Sequence, residues 1–281
     1  MKFSYSLVLC FLFLVNQSCS NILSQSGQLT DDALMVNAQI SMNGKDYTSA
    51  LADFKLMSAT YLAQRDVVAL NAAAYAGRCG LDFIGLVNNF SSIGSSTVLN
   101  VLYKNAVGAT ASQETDCTSA EALMLSISAV ASSRTVAENL LTGLIEFQRI
   151  GVILGQFADQ LGKGTVDSGF NPCLTTKGAV PAATGLPVAE AQILSASLMV
   201  GFSALSASGI SAFSSSASSF QTYCTQLKTY TGGSNPCTQT APSSFTNTEL
   251  AAIMGLVKTS FFGVGSCSDT SLATCVCLVY P

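Results

Sequence analysis

Cysteine supplies the most reactive side chains in this chain of 281 residues. Two of the ten cysteines lie near the amino terminus, and the other eight are Cys79, Cys117, Cys173, Cys224, Cys237, Cys267, Cys275 and Cys277. In an oxidising compartment, thiols in this number pair most simply as up to four disulfides. The cysteine count does not decide the pairing. The turn-rich residues 232–236 nevertheless favour a local bond between Cys224 and Cys237.

Histidine is absent from the sequence. Its absence excludes the Ser-His-Asp and Cys-His arrangements and most catalytic zinc sites. A thiolate metal site centred on Cys275-Val276-Cys277 is the competing interpretation of the cysteines, but the paired CxxC spacing of zinc sites is missing. We therefore expect neither a metal nor another cofactor.

Chemistry without histidine would require a Ser-Lys pair or two carboxylates. Glu138 with Glu146, or Asp159 with Asp167, are the candidate acid and base, although ordinary solvated carboxylates on helix surfaces explain them more simply. Residues 162–165, Gly-Lys-Gly-Thr, lack the spacing of a phosphate-binding loop. The sequence predicts a protein that is not an enzyme, with a histidine-free hydrolase as the alternative.

The composition indicates a folded chain with an unusual surface. Hydrophobic residues make up 49% of the sequence and charged residues only 10%, so a sizeable core in one or two domains is expected. The net charge of -4 provides no basic surface for nucleic acid. Nucleic-acid binding is therefore excluded from the predicted functions.

The amino terminus has the pattern of an export signal. Lys2 supplies the positive charge, and residues 7–15 form an apolar run that ends in small and polar residues. This run is too short to span a bilayer. We predict a signal peptide at residues 1–18, followed by a chain that folds outside the cytoplasm.

The segment Asn16-Gln17-Ser18-Cys19-Ser20 resembles the lipobox of bacterial lipoproteins, in which a small residue precedes the lipidated cysteine. The resemblance implies acyl chains such as palmitate on Cys19, a lipidated linker at residues 19–30, and sorting to the outer membrane because Ser20 follows the cysteine. Membrane contact would then be through the lipid anchor only. Cleavage after Ser18 or Ser20, giving a secreted or periplasmic soluble protein, is the alternative.

A repeated cluster follows in a region of helical periodicity, residues 31–90. Gly-x-Asp-aromatic occurs twice, 36 residues apart, and a phenylalanine follows each aromatic residue after seven positions. With the intervening alanine of the first copy, the cluster comprises Gly44, Asp46, Tyr47, Ala50, Phe54, Gly80, Asp82, Phe83 and Phe90. A period of this length is typical of stacked helical hairpins.

These residues resemble the tetratricopeptide repeat (TPR), where Gly ends one helix and the next helix presents Ala and an aromatic residue to the core. The resemblance implies a binding scaffold over residues 31–161. The period of 36 and Val87 in place of a small alanine depart from the family pattern, and no third copy is clear near Asp116. A generic antiparallel helix pair with similar turns is the alternative.

Further helices are expected beyond the repeat. Residues 118–121 are typical of a capped helix start leading into residues 122–130, and a core helix is predicted over 135–161. Residues 162–187, rich in Gly and Pro, are predicted to form a loop. Residues 188–281 complete the chain as a helical region with a cysteine-rich tail, with Thr246 or Thr248 capping its last long helix.

The uncharged residues 193–213 are apolar enough to pose the question of a membrane span. A single span would place Cys173 and Cys224 in opposite compartments, only one of them oxidising, so a buried helix is preferred. The predicted fold is all-α: antiparallel helical hairpins, TPR-like at the N-terminal side, continuing into a disulfide-stapled helical bundle.

Three functions are compatible with this sequence. The first is a cell-envelope lipoprotein that acts as a scaffold for unknown envelope proteins, the second is the histidine-free hydrolase, and the third is a purely structural secreted surface protein. A concave groove beside Tyr47 and Phe83 would favour the scaffold. A pocket with a buried lysine or paired carboxylates would favour the hydrolase. We expect the scaffold.

Overall fold

The computed structural model describes residues 29–86, 98–178, 183–210, 214–260, 262–265, 267, 272–277 and 280. Within these ranges the chain is all-α with four disulfides and no β-strand, which confirms the predicted fold class. Extended pairing is limited there to two isolated bridges, Phe170 with Thr184 and Thr259 with Cys267. The predicted signal peptide, Cys19 and Phe90 lie outside the described residues.

The described helices in chain order are α1 (Asp31–Asn43), α2 (Tyr47–Leu56), α3 (Ala59–Leu62), α4 (Arg65–Arg78), α5 (Val98–Lys104), α6 (Ala111–Ile127), α7 (Val136–Phe157), α8 (Val188–Ser208), α9 (Ser214–Tyr230), α10 (Asn247–Val257) and α11 (Leu272–Cys275). Short 3₁₀ turns precede α7 and α10. Between α7 and α8, the described part of residues 162–187, predicted as a loop, contains no helix.

Capping boxes set the starts of three long helices. Thr135 caps α7 and Thr246 caps α10, each paired with a glutamate three residues later. Each such cap is worth about 1 kcal/mol because it satisfies backbone N–H groups that the helix leaves unpaired. The sequence left Thr246 and Thr248 as alternative caps for this helix, and the structure shows that the cap is Thr246.

The predicted start of the middle helix at residues 118–121 is wrong. Helix α6 begins at Ala111, where Thr110 and Gln113 form a capping box. Thr118 and Ser119 lie inside the helix, and their hydroxyls donate to the carbonyls of Glu114 and Thr115. Serine and threonine hydroxyls inside a helix can donate to carbonyl oxygens of the preceding turn, so these residues do not by themselves mark the end of a helix.

The N-terminal helices surround a small apolar core of their own. Helix α1 packs on α2, and α2 packs on α4, with Leu34, Leu51 and Phe54 almost completely buried between them. Asp46 caps α2 by accepting from the Ser49 amide at 3.1 Å. This unit joins the rest of the chain where α4 packs on α6.

The larger core is centred on α7 and α8, two helices of similar length that pack extensively on each other. Glycines allow this approach: a Cβ on Gly201 would lie 2.9 Å from the Phe147 ring, and one on Gly143 would lie 2.5 Å from Leu205. By length and composition alone both helices are able to cross a membrane, but most residues of each are buried. For the helical part of that stretch, residues 193–208, this packing agrees with the interpretation as a buried helix.

Four disulfides tie these layers together. Cys224–Cys237 is the local bond predicted from the sequence. The others are Cys79–Cys117, which joins α4 to α6, Cys173–Cys277, which joins the long loop to the C-terminal tail, and Cys267–Cys275 within that tail. All eight candidate cysteines are therefore used in pairs.

Candidate functional site: a buried polar cluster

Asp159 and Asp167, one of the candidate acid–base pairs, both accept hydrogen bonds from nearby backbone amides. Asp159 accepts from the amides of Lys163 and Gly164 at 2.8 and 2.7 Å. Asp167 accepts from the Gln160 amide at 2.8 Å. Both carboxylates therefore shape the turn that leaves α7, and the Gly-Lys-Gly-Thr segment at 162–165 is part of that turn.

Glu138 and Glu146, the other candidate pair, lie in contrasting surroundings on α7. Glu138 forms a two-point contact with the Arg65 guanidinium at 2.6 and 2.7 Å, and this contact lowers the pKa of Glu138 to about 2. Burial raises the pKa of Glu146 to about 8. Eight residues of helix separate them by roughly 12 Å along the axis. That spacing exceeds the range of roughly 5–9.5 Å across which two carboxyls attack one glycosidic bond.

Glu146 belongs instead to a polar cluster between three helices, which is buried at its centre and partly exposed at its edge. The cluster consists of Glu114, Thr118 and Glu121 on α6, Glu146, Arg149 and Gln156 on α7, and Glu190 and Ser197 on α8. Arg149 pairs with the Glu121 carboxylate, and its second nitrogen donates to Thr118 Oγ1 at 3.0 Å. Gln156 donates to Glu114 at 2.9 Å. The cluster therefore connects α6 to α7 through five side chains.

The centre of the cluster holds polar atoms without partners. Glu146 is 0% exposed, and neither of its carboxylate oxygens makes a hydrogen bond of ordinary geometry with a described residue, although Ser197 and Glu121 lie close enough to act on its pKa. Ser197 Oγ on α8 and Arg149 Nε likewise make no such hydrogen bond with a described residue. Unpartnered buried groups of this kind are costly, and a buried carboxyl reduces that cost by keeping its proton.

Charge imbalance adds to the effect of burial. Four carboxyls surround one buried guanidinium, and the nearby Glu121 carboxylate raises the pKa of Glu146 further than burial alone. Burial and the neighbouring Glu114 likewise raise the pKa of Glu190 to about 7, while Arg149 and Lys177 act in the opposite direction. The cluster therefore retains a proton at neutral pH.

These contacts and raised pKa values suit a cluster that holds a proton and joins neighbouring helices better than one that cleaves a bond. Among the described residues, no group of three or more Cys, Asp and Glu side chains could hold a metal ion. Cys275 and Cys277, the centre of the alternative thiolate site, are bonded to Cys267 and Cys173. The metal interpretation of this pair is therefore wrong.

Lysine offers little to a Ser-Lys mechanism in the described part of the chain. Such a mechanism needs a lysine withdrawn from water so that it can act as a base. Lys258 is half-buried, and the remaining described lysines are exposed: Lys45, Lys55, Lys104, Lys163, Lys177 and Lys228.

The residues of the 36-residue repeat lie in two turns of different conformation. In the first turn the left-handed residue is Lys45, with φ of 59°, and Gly44 has a φ of -80°. In the second turn the left-handed residue is Gly80, with φ of 102°. Equivalent glycines thus have different backbone roles.

The side chains of the repeat also differ in burial between the copies. Ala50 and Phe54 are buried in the N-terminal core, and the Tyr47 ring lies against Gly77 of α4, where a Cβ would overlap it. Phe83, the second copy's equivalent of Tyr47, is 46% exposed. The first copy therefore packs as a helical hairpin core, and the second copy leaves its aromatic residue at the surface.

Most residues of the polar cluster are not among those predicted from the sequence, although α7 carries a signal for them. Polar residues recur along this apolar helix at Asn139, Thr142, Glu146, Arg149 and Gln156, with spacings of three, four and seven. Such a stripe lies along one face of a helix. Comparisons of the chain with protein-family profiles, with curated proteins and with solved structures find no match.

Proposed function

We propose that this chain is a cell-envelope lipoprotein, anchored through Cys19, whose helical body is a non-catalytic scaffold for other envelope proteins. The observation that carries the proposal is that all four candidate catalytic carboxylates are engaged or enclosed within the protein itself. Glu138 is held by Arg65, Asp159 and Asp167 hold backbone amides, and Glu146 is enclosed between helices. All four are therefore enclosed within the fold or engaged with its own groups, and none is presented to a substrate.

The disulfides support the same proposal from a different direction. Four bonds that close between 8 and 104 residues of chain are compatible with a protein that folds in an oxidising compartment. Cys79–Cys117 also ties α4 to α6 and so limits the motion of these two helices against each other. A scaffold benefits from that stiffness, because a preorganised surface loses less entropy when a partner binds.

The anchor is tested by the intact mass of protein extracted from membranes, with and without reductant. We expect the chain to begin at Cys19 and to carry a diacylglyceryl group and an amide-linked acyl chain. Reduction should add two hydrogens for each of the four disulfides. The matched control is Cys19→Ser, which should lack the lipid and leave the membrane fraction. An unmodified wild-type mass with free thiols would refute the proposal.

The scaffold is tested by cross-linking in intact cells. We expect specific adducts with other envelope proteins, and we expect the Glu138→Gln and Glu146→Gln variants to form the same adducts, since neither carboxylate would take part in binding or catalysis. Adducts that vanish in Cys19→Ser would show that anchoring is needed to meet the partner. A chain that forms no adducts would favour the purely structural surface protein.

A further inference from the structure

Helix α1 has a second apolar face that nothing in the described part of the chain covers. Val36 is 50% exposed and Ile40 is 64% exposed, whereas Leu34, Met35 and Ala38 are buried on the opposite side. Leu29, just before the helix, is 56% exposed, and Ala33 is partly exposed between them. We call Leu29, Ala33, Val36 and Ile40 the α1 apolar row. Spacings of three and four place Ala33, Val36 and Ile40 along one side of the helix, and Leu29 lies just before its N-cap, Thr30.

The borders of the row carry little charge. No lysine or arginine occurs in α1, and its two acids are turned toward α3. Asp31 accepts from the amide and hydroxyl of Ser58 at 2.8 and 2.6 Å. Asp32 accepts from the Tyr61 hydroxyl at 3.0 Å. An apolar row without basic residues on its own helix, and with both acids of that helix bonded to α3, is suited to an apolar partner that has no strong charge of its own.

The position of the row along the chain identifies that partner. Leu29 follows Cys19 by ten residues, and ten residues of fully extended chain reach at most about 35 Å. If the acyl chains of Cys19 lie in a bilayer, as the proposed function requires, the start of α1 is held within that distance of the lipid. The row begins at this tethered end and continues for eleven residues away from it.

From the exposure of the row and its position beside the anchor, we propose that the α1 apolar row lies against the lipid bilayer that holds Cys19, so that the body is oriented with α1 toward the membrane. This inference rests on the proposed function. A second copy of the chain is the poorer occupant, because a row of four side chains falls short of the roughly 800 Å² per partner in a stable interface. A bilayer needs no matching surface, and the anchor has already brought it close.

The chain contains no tryptophan, so one introduced tryptophan reports on its own surroundings. The Ile40→Trp variant is purified with its lipid and placed in phosphatidylcholine vesicles whose acyl chains are brominated or unbrominated. We expect brominated lipid to quench the emission and acrylamide to quench it weakly. The matched control is Leu161→Trp, also at an exposed position, 49% in the wild type, and beyond the C-terminal end of α7. There we expect acrylamide to quench and brominated lipid to have no effect.

The outcomes separate this inference from the proposed function. Quenching of Ile40→Trp by brominated lipid, without quenching of Leu161→Trp, supports the orientation. A lipidated, vesicle-bound Ile40→Trp that only acrylamide quenches refutes the orientation and leaves the anchor intact. Protection from both quenchers, together with a dimeric mass, would show that a second copy covers the row and would also refute it. A protein without lipid would refute the anchor and, with it, this inference.

Discussion

Replacing Glu146 by glutamine is expected to make the protein less sensitive to pH. Glutamine has the same shape as the protonated side chain and keeps the enclosed volume filled, but it cannot ionise. The pKa of Glu146 rises from its ordinary 4.5 to about 8 in the fold because the carboxyl is buried and lies near Glu121. A raised pKa means that the folded state holds a proton that the unfolded chain releases above pH 4.5.

The sign and size of the effect follow from that difference in bound protons. Stability is greatest below the unfolded pKa and falls as the pH rises toward the folded pKa, by up to about 1.4 kcal/mol per pH unit. Between pH 5 and pH 7 the wild type should therefore lose about 2–3 kcal/mol that the Glu146→Gln variant retains. Glu190, whose pKa is also raised, changes stability in the same direction in both proteins.

The assay is urea unfolding of the oxidised protein, followed by circular dichroism at pH 5, 6 and 7. The unfolding free energies of wild type and Glu146→Gln should converge toward pH 5 and separate as the pH rises. Asp66→Asn is the control, since Asp66 is exposed on α4 and the substitution is chemically equivalent. Parallel pH profiles for wild type and Glu146→Gln would refute the reasoning that the cluster stores a proton.

Three further outcomes can be measured in the same way. Glu138→Gln should be less stable than the wild type above pH 4.5, and the difference should disappear as the pH falls toward 2. The reason is that the Arg65 contact lowers the pKa of Glu138, so the ionised carboxylate stabilises the folded wild type only at the higher pH. Gly151→Ala should lower the unfolding free energy by about 1–3 kcal/mol, because the added Cβ would lie 2.5 Å from the backbone carbonyl oxygen of Leu102 in α5. Serine replacement of both cysteines of Cys173–Cys277, which closes 104 residues, should cost about 1.8 kcal/mol more than the same change at Cys224–Cys237, which closes 13.

Each of these outcomes has its own control. Asp66→Asn again serves for Glu138→Gln, and equal slopes below pH 4.5 would contradict the role of the Arg65 contact. Ser112→Ala, at an exposed position on α6, serves for Gly151→Ala, and an unchanged unfolding midpoint in both would show that α5 can move away from α7. Equal losses for the two disulfides would mean that chain closure does not control their contributions.

Local patterns in the sequence predicted the parts of the fold that depend on neighbouring residues. The apolar period of residues 135–161 predicted α7, and the capping box at Thr135 came to light only in the structure. Turn residues between Cys224 and Cys237 predicted their bond, which closes only 13 residues. The prediction of α6 failed because its true cap, Thr110, lies before a Ser/Thr-rich stretch that also has the composition of a helix start.

Only the tertiary structure decided the long-range pairings and the chemistry of the buried carboxyls. Cys79–Cys117 and Cys173–Cys277 depend on which helices and tails become neighbours. Glu146 changes from an ordinary surface acid to a proton-holding group because α6 and α8 exclude water from it. Helical period and capping act within a few residues, so a sequence displays them directly. Burial and charge pairing arise between segments far apart in the chain, and they exist only after the helices have packed.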